Sequence, residues 1–250
     1  MILATKGLTK DFGGLRAVDN VDFTLEESEI RSIIGPNGAG KTTFFNLLTG
    51  YLKPTSGKIL FRGEDITGLP QYLICRKGIA KSYQITSIFP HLTVFENVRI
   101  AAQQRVTTYN FWGSPQRMKE VNERVIQVLE DVQLIEEKDN LADNLSYGQK
   151  RHLEIAITLA TQPQILLLDE PTAGMTPEET FETMDLIKKL RKERGITIVI
   201  VEHDMRVVMG ISDRVTVLHN GKILAEGTPR EIHNDVEVQK VYLGERNVRS

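Results

Sequence analysis

Nine consecutive residues carry the clearest chemistry in this chain. Gly35-Pro36-Asn37-Gly38-Ala39-Gly40-Lys41-Thr42-Thr43 fits G-x-x-x-x-G-K-S/T, a phosphate-binding loop. Its glycines let the backbone curl so that successive N–H groups point inward at phosphate oxygens. Lys41 can place a charge between the β- and γ-phosphates, and the Thr42 hydroxyl can ligate Mg²⁺. The surroundings agree with that reading. Ile30–Ile34 reads as a buried strand entering the loop, and Thr43–Leu48 as the helix leaving it, whose N-terminal dipole favours an anion.

Two acids stand at a second point. Asp169 and Glu170 follow the apolar run Ile165-Leu166-Leu167-Leu168, which reads as a strand buried on both faces. A carboxylate at the C-terminal end of such a strand faces the ligand crevice of an α/β sheet. Asp169 can hold Mg²⁺, and Glu170 can orient and deprotonate the water that attacks a γ-phosphate. His203 is placed at the end of the next strand, within reach of the same crevice. Leu145-Ser146-Tyr147-Gly148-Gln149 precedes an amphipathic helix expected over Lys150–Thr161. Ser146 and Gly148 would put a hydroxyl and open N–H groups at its N-terminus, a second anion site. One chain therefore carries two half-sites for a polyphosphate, which a symmetric dimer could pair across its axis.

The elements that must position these groups follow from pattern. Residues 1–34 alternate apolar and polar, with turns at Gly13-Gly14 and around 26–29, and read as antiparallel strands. Lys58–Phe61 adds another strand. From about 85 to 160 the period becomes helical, with helices over Val94–Gln104 and Met118–Val132. In the second, Val121, Val125, Val128, Leu129 and Val132 share one face. An aromatic loop, Tyr109–Pro115, lies between them. Thr176-Pro177-Glu178-Glu179 opens a helix as a capping box with proline in the first turn, and Gly195 closes it. Ile196–Val201 is the next buried strand. Asn220-Gly221 marks a hairpin, and Thr228-Pro229-Arg230-Glu231 is a second capping box.

The fold class is α/β, with a phosphate-loop core, an N-terminal antiparallel β subdomain and an inserted α-helical subdomain. One domain is expected over 1–250: core over 1–84 and 161–250, helical insertion over 85–160, helical tail over 228–250. The net charge of −2 offers no electrostatic reason to expect nucleic acid. The single cysteine, Cys75, rules out an intrachain disulfide, suits a reducing compartment and reads as a small buried residue. No signal peptide is visible, and no run approaches the ~18 apolar residues of a membrane span, so service to a membrane would go through a partner.

Taken in order, these motifs resemble the nucleotide-binding subunit of an ABC transporter along essentially the whole chain. They are Phe12, the phosphate loop at 35–43, Gln84 in Ser82-Tyr83-Gln84-Ile85, the signature at 145–149, the strand and acids at 165–170, and His203. The resemblance implies an ATPase that uses ATP and Mg²⁺. It implies that Phe12 stacks on adenine and that Gln84 of the Q-loop reaches the metal and nucleotide. Ser146, Gly148 and Gln149 of the signature would contact the γ-phosphate of ATP held by an opposing chain, which is either a second copy or a related ATPase. Glu170 and His203 would be catalytic. Transmembrane permease subunits would dock near the Q-loop and the helical subdomain, placing the protein in the cytoplasm on the inner face of the membrane. No nucleic-acid partner is implied.

The chain departs from the family at two places. Tyr147 replaces the commonest glycine of the signature, where an outward-pointing ring is expected to matter little. Ala173-Gly174-Met175-Thr176 lacks the usual aspartate of the D-loop. The signature, the 173–180 segment, the 109–115 insertion, Val201–Met205 and the ending Val241-Tyr242-Leu243-Gly244 are similar to ATPases of branched-chain amino-acid and urea importers. The ending also resembles the lipopolysaccharide-export ATPase. Rival readings are a soluble ABC ATPase of the iron–sulfur assembly type and a DNA-repair ATPase. The sustained heptads of the latter are absent.

Overall fold

The structure, a computed structural model, describes residues 1–82, 88–104 and 115–246. Gln84 and loop residues 109–114 lie outside them. Strands β1 (Leu3–Phe12) and β2 (Leu15–Leu25) form an antiparallel hairpin around Gly13-Gly14, followed by β3 (Ile30–Ile34) and α1 (Lys41–Leu48). Then come β4 (Ser56–Phe61) and the two-residue β5 (Glu64–Asp65), which complete a sheet of order β2-β1-β4-β5. The pattern reading passed over the next two elements, α2 (Gln71–Lys77) and β6 (Ile79–Lys81). Seven residues with one fully buried apolar side chain, Ile74, carry too little period to announce a helix, and three residues too little to announce a strand.

The helices α3 (Val94–Gln103), α4 (Pro115–Asp131) and α5 (Tyr147–Ala160) lie between β6 and β7 (Ile165–Asp169) in the chain. After β7 run α6 (Pro177–Arg194), β8 (Thr197–Val201), α7 (Met205–Ile211), β9 (Arg214–His219), β10 (Lys222–Gly227), α8 (Pro229–Asn234) and α9 (Val236–Arg246). Both expected capping boxes form, at Thr176 and at Thr228, and Gly195 ends α6 in the left-handed conformation. Asn220 and Gly221 both take positive φ in the β9–β10 turn, as a two-residue hairpin requires.

The second sheet has the order β10-β9-β3-β8-β7-β6, with every pairing parallel except β10 with β9. Its central strands are buried on both faces, and alternate residues serve two different cores. Leu166 and Leu168 of β7, with Ile198 and Ile200 of β8, pack against the buried faces of α3, α4, α5 and α6. Ile165, Leu167, Val199 and Val201 point the other way, onto α1 and the antiparallel sheet, with Phe23, Phe44 and Phe45 fully buried there. The strand period of two thus welds two layers to one sheet. The five residues predicted to share a face are all buried, four on α4 and Val132 just past its end. The order β3-β8-β7 also sets the chemistry: parallel neighbours release their C-terminal loops at one edge, so residues 35–43, 169–170 and 202–203 emerge side by side.

Candidate functional site

The phosphate loop is shaped by glycines that no other residue could replace. A Cβ on Gly35 would stand 2.1 Å from the Leu218 carbonyl oxygen, and one on Gly40 would stand 2.3 Å from that of Ala17. Gly40 is the N-cap of α1, left-handed at φ 101, and no side chain caps the helix. The first-turn N–H groups of an α-helix have no acceptor within the helix itself, and at α1 no side chain caps them, which suits this end to an anion. Lys41 is folded over its own loop, donating to the carbonyls of Gly35 at 2.7 Å and Pro36 at 2.9 Å. A phosphate has to draw the ammonium off these carbonyls.

Asp169 is the last residue of β7, in register with Val201 of β8, and is buried. Its carboxylate pairs with Lys81 Nζ at 3.0 Å. Glu170, the next residue, takes φ 50, a left-handed conformation that costs a non-glycine residue roughly 1–3 kcal/mol. The strain is held in place from both sides: Glu170 N–H donates to Val201 O at 2.9 Å, and Ala173 N–H donates to Glu170 O at 3.2 Å. The Glu170 carboxylate then stands 3.1 Å from His203 Nε2. His203 is not on β8, as expected, but two residues beyond its end. Glu202 makes that turn. Its buried carboxylate accepts from Thr172 Oγ1 at 2.6 Å, from Thr172 N–H at 3.2 Å and from His203 N–H at 3.0 Å. One side chain therefore fixes the loops after both strands. Sequence reasoning missed Glu202 and Lys81. An acid ending the apolar run of β8 was a usable signal for the first, whereas Lys81 had none without β6.

Phe12, Leu15, Ala17, residues 37–43, Glu170, Val201 and His203 line one open groove of about 340 Å³. Phe12 is 45% exposed, with Lys10 Nζ 5.1 Å from its ring centroid. The groove therefore brings together an aromatic face, the phosphate loop with its lysine, and a carboxylate–imidazole pair. That is the donor set for a base, a polyphosphate and a water to be activated. The Thr42 hydroxyl and the Asp169 carboxylate are hard oxygen donors, which suits Mg²⁺. Among the described residues there is no group of three or more His, Cys, Asp or Glu able to hold a metal by itself.

The signature half-site is built differently from the expectation. Helix α5 starts at Tyr147, not Lys150, with Ser146 as its N-cap. Gln149 N–H donates to Ser146 Oγ at 3.2 Å, and Ser146 N–H donates to Gln149 Oε1 at 2.9 Å. Gly148 N–H is not open: it donates to Glu179 Oε1 at 3.2 Å. Donors from the Thr176 backbone, then from Gly148, hold the Glu179 carboxyl below its usual range. Tyr147 is half exposed, but its hydroxyl turns back to donate to Ala173 O at 3.0 Å and accepts from Arg151 at 3.0 Å. The tyrosine thus occupies the flank of the segment that lacks the aspartate. Ser146, Gly148 and Gln149 do not line the groove of Phe12 and Lys41. Cys75, expected buried, is of intermediate exposure.

A phosphate loop feeding a helix from a parallel sheet, a strained glutamate beside a histidine, and a separate helix-capped half-site define an ATP-binding cassette. The family model for the ABC transporter matches residues 18–173, and this chain belongs to that family. A second model, the branched-chain amino acid ATP-binding cassette transporter, matches residues 222–247. The high-affinity branched-chain amino acid transport ATP-binding protein LivG of Salmonella typhimurium is 48% identical over 250 residues, covering 98% of each chain. BraF of Pseudomonas aeruginosa, of the same description, is 45% identical with the same coverage. The lipopolysaccharide export system ATP-binding protein LptB of Haemophilus influenzae is 37% identical over 245 residues, covering 98% of each. Among solved structures, the ADP conformation of MJ1267, an ATP-binding cassette of an ABC transporter, superposes with a TM-score of 0.85 at 30% identity. It covers 97% of this chain and 98% of that one.

Proposed function

We propose that this chain is the ATP-hydrolysing subunit of a transporter that imports branched-chain amino acids or a related small polar solute. The observation that carries the ATPase reading is the groove itself, where the phosphate loop, the Glu170–His203 pair and an exposed aromatic ring meet. In this reading Phe12 stacks on adenine, and residues 35–43 wrap the phosphates. Thr42 and Asp169 supply oxygens to Mg²⁺, joined by Gln84, and the metal when bound offsets phosphate charge. Glu170 takes the proton of the attacking water while His203 orients the pair.

The separation of Ser146, Gly148 and Gln149 from that groove supports a composite site. The signature of one chain completes the site of another, and two ATP are held between two ATPase chains. The described residues contain no helix long and apolar enough to cross a membrane, so the transport path belongs to permease subunits. These dock near Gln84 and the helical segment, where Tyr72, Phe89 and Ile100 are exposed, and hold the protein on the inner face of the membrane. Two observations favour solute import over lipopolysaccharide export: the 222–247 match and the higher identity to LivG and BraF.

The composite site is tested by mixing. Lys41→Ala and Ser146→Arg homodimers each carry two damaged sites and should be nearly inactive. A mixed dimer gathers both lesions into one site and should regain ATPase activity. Import is tested by reconstitution with its permease and binding-protein partners in liposomes. ATP-dependent uptake of labelled leucine is expected, and uptake of another solute class instead would replace the substrate assignment.

A further inference from the structure

The Asp169 carboxylate already has a cation. Lys81, the last residue of β6, places Nζ 3.0 Å from Asp169 Oδ2, and the two side chains are only 7% and 5% exposed. The same ammonium donates to Asn46 Oδ1 at 3.2 Å and lies 5.6 Å from the Phe45 ring centroid. The backbone leaves Lys81 little freedom, since β6 and β7 are parallel neighbours with Lys81 in register with Leu167. A buried carboxylate requires a partner, and here a lysine supplies it. Phosphate-loop chemistry does not call for a lysine at this point.

A divalent ion drawn to Asp169 therefore meets a positive charge at contact distance, in surroundings that screen it poorly. Few protein oxygens stand ready to compensate, because no cluster of acids surrounds the site among the described residues. We propose that Lys81 is a positioning residue that holds the Asp169 carboxylate in the nucleotide-free chain and suppresses metal binding there. The metal is admitted only when a triphosphate brings enough negative charge to outweigh the lysine. Lys81 thereby makes metal and nucleotide enter together, and no divalent ion is trapped in the empty site. The inference rests on the assignment of Asp169 as a metal carboxylate.

The test uses the full chain without nucleotide. Lys81→Gln removes the charge but leaves an amide able to donate to Asp169. Binding of Mn²⁺, followed by the electron paramagnetic resonance of the free ion, should tighten about tenfold or more. Millimolar Mg²⁺ should raise the melting temperature of Lys81→Gln while leaving the wild type nearly unmoved. Lys81→Arg keeps the charge and should behave like the wild type. If Lys81→Gln folds poorly, rescue of its folding by Mg²⁺ alone supports the proposal, and the absence of rescue overturns it. Unchanged Mn²⁺ affinity in a folded Lys81→Gln chain also overturns it. Asp169→Asn separates the two levels. If that variant keeps the wild-type Mg²⁺ dependence of ATP binding, the assignment of Asp169 itself fails. If it loses that dependence while Lys81→Gln matches the wild type, only the role of Lys81 fails.

Discussion

The two helix N-termini that face phosphate in the proposed ATPase are prepared in opposite ways. Helix α1 is capped by Gly40, which has no side chain to close its first turn, and its loop is held open by backbone contacts that exclude any Cβ. Helix α5 is capped by its own chain. Ser146 and Gln149 satisfy each other, and Glu179 takes the Gly148 N–H. In the proposed site the first end has only the Lys41 ammonium to release from the Gly35 and Pro36 carbonyls. The second has to exchange existing hydrogen bonds for phosphate, with the carboxylate of Glu179 standing beside it. A donor that exchanges one acceptor for another of similar strength gains little, because the bond given up was itself worth about 1 kcal/mol. The signature half therefore adds little until the first half presents a fully charged triphosphate. In the proposed composite site, this asymmetry would make the dimer depend on ATP and loosen once the γ-phosphate leaves.

The largest effect is expected at the Glu170–His203 pair. Glu170→Gln keeps the shape of the strained turn but cannot accept a proton. Turnover should fall on the order of 10²–10⁴-fold while ATP still binds, and a long-lived ATP dimer should appear in gel filtration. Near-normal turnover would move the general base elsewhere. Phe12→Ala tests what the first half holds besides phosphate. ATP affinity should drop by about 1–3 kcal/mol, with little change for tripolyphosphate. Equal losses for both ligands would mean that the ring does not touch the base.

The second half is tested more gently. Glu179→Gln preserves the capping box of α6, since glutamine serves at that position, and removes the negative charge beside α5. In the Glu170→Gln background, the ATP concentration needed for dimerisation should fall about two- to fivefold. A weaker dimer would show instead that the Glu179 carboxylate is required to seat α5.

The smallest effect concerns how α5 is anchored. His152 is buried against Thr183 of α6, with Nε2 3.1 Å from its hydroxyl, and burial pushes the imidazole below its ordinary 6.5 despite the nearby carboxylates of Glu182 and Glu179. Its protonation then favours the unfolded chain. The stability it contributes is complete above pH 6.5 and is lost as the pH falls through the lowered folded value. One proton gives a slope of at most about 1.4 kcal/mol per pH unit. The melting temperature of His152→Gln should show a shallower decline across that window, and an identical slope would exclude His152 as the group responsible.

Local chemistry makes much of this molecule legible in its sequence. The glycines of 35–40, the capping boxes at Thr176 and Thr228, the Asn220-Gly221 turn and the apolar runs of β7 and β8 each act within a few residues. Their conformational demands are therefore written in the residue types themselves. What the chain order could not disclose depends on which strands become neighbours. Lys81 meets Asp169 because β6 pairs with β7, Ile79 opposite Ile165 and Lys81 opposite Leu167, and β6 itself is too short to be read from pattern. Glu202 ties Thr172 to His203 because β7 and β8 lie side by side. Glu179 closes Gly148, and Tyr147 reaches Ala173, because α5 and the segment entering α6 pack together. Charges and hydrogen bonds act through space over a few ångströms, and only the tertiary fold brings these distant positions within that range.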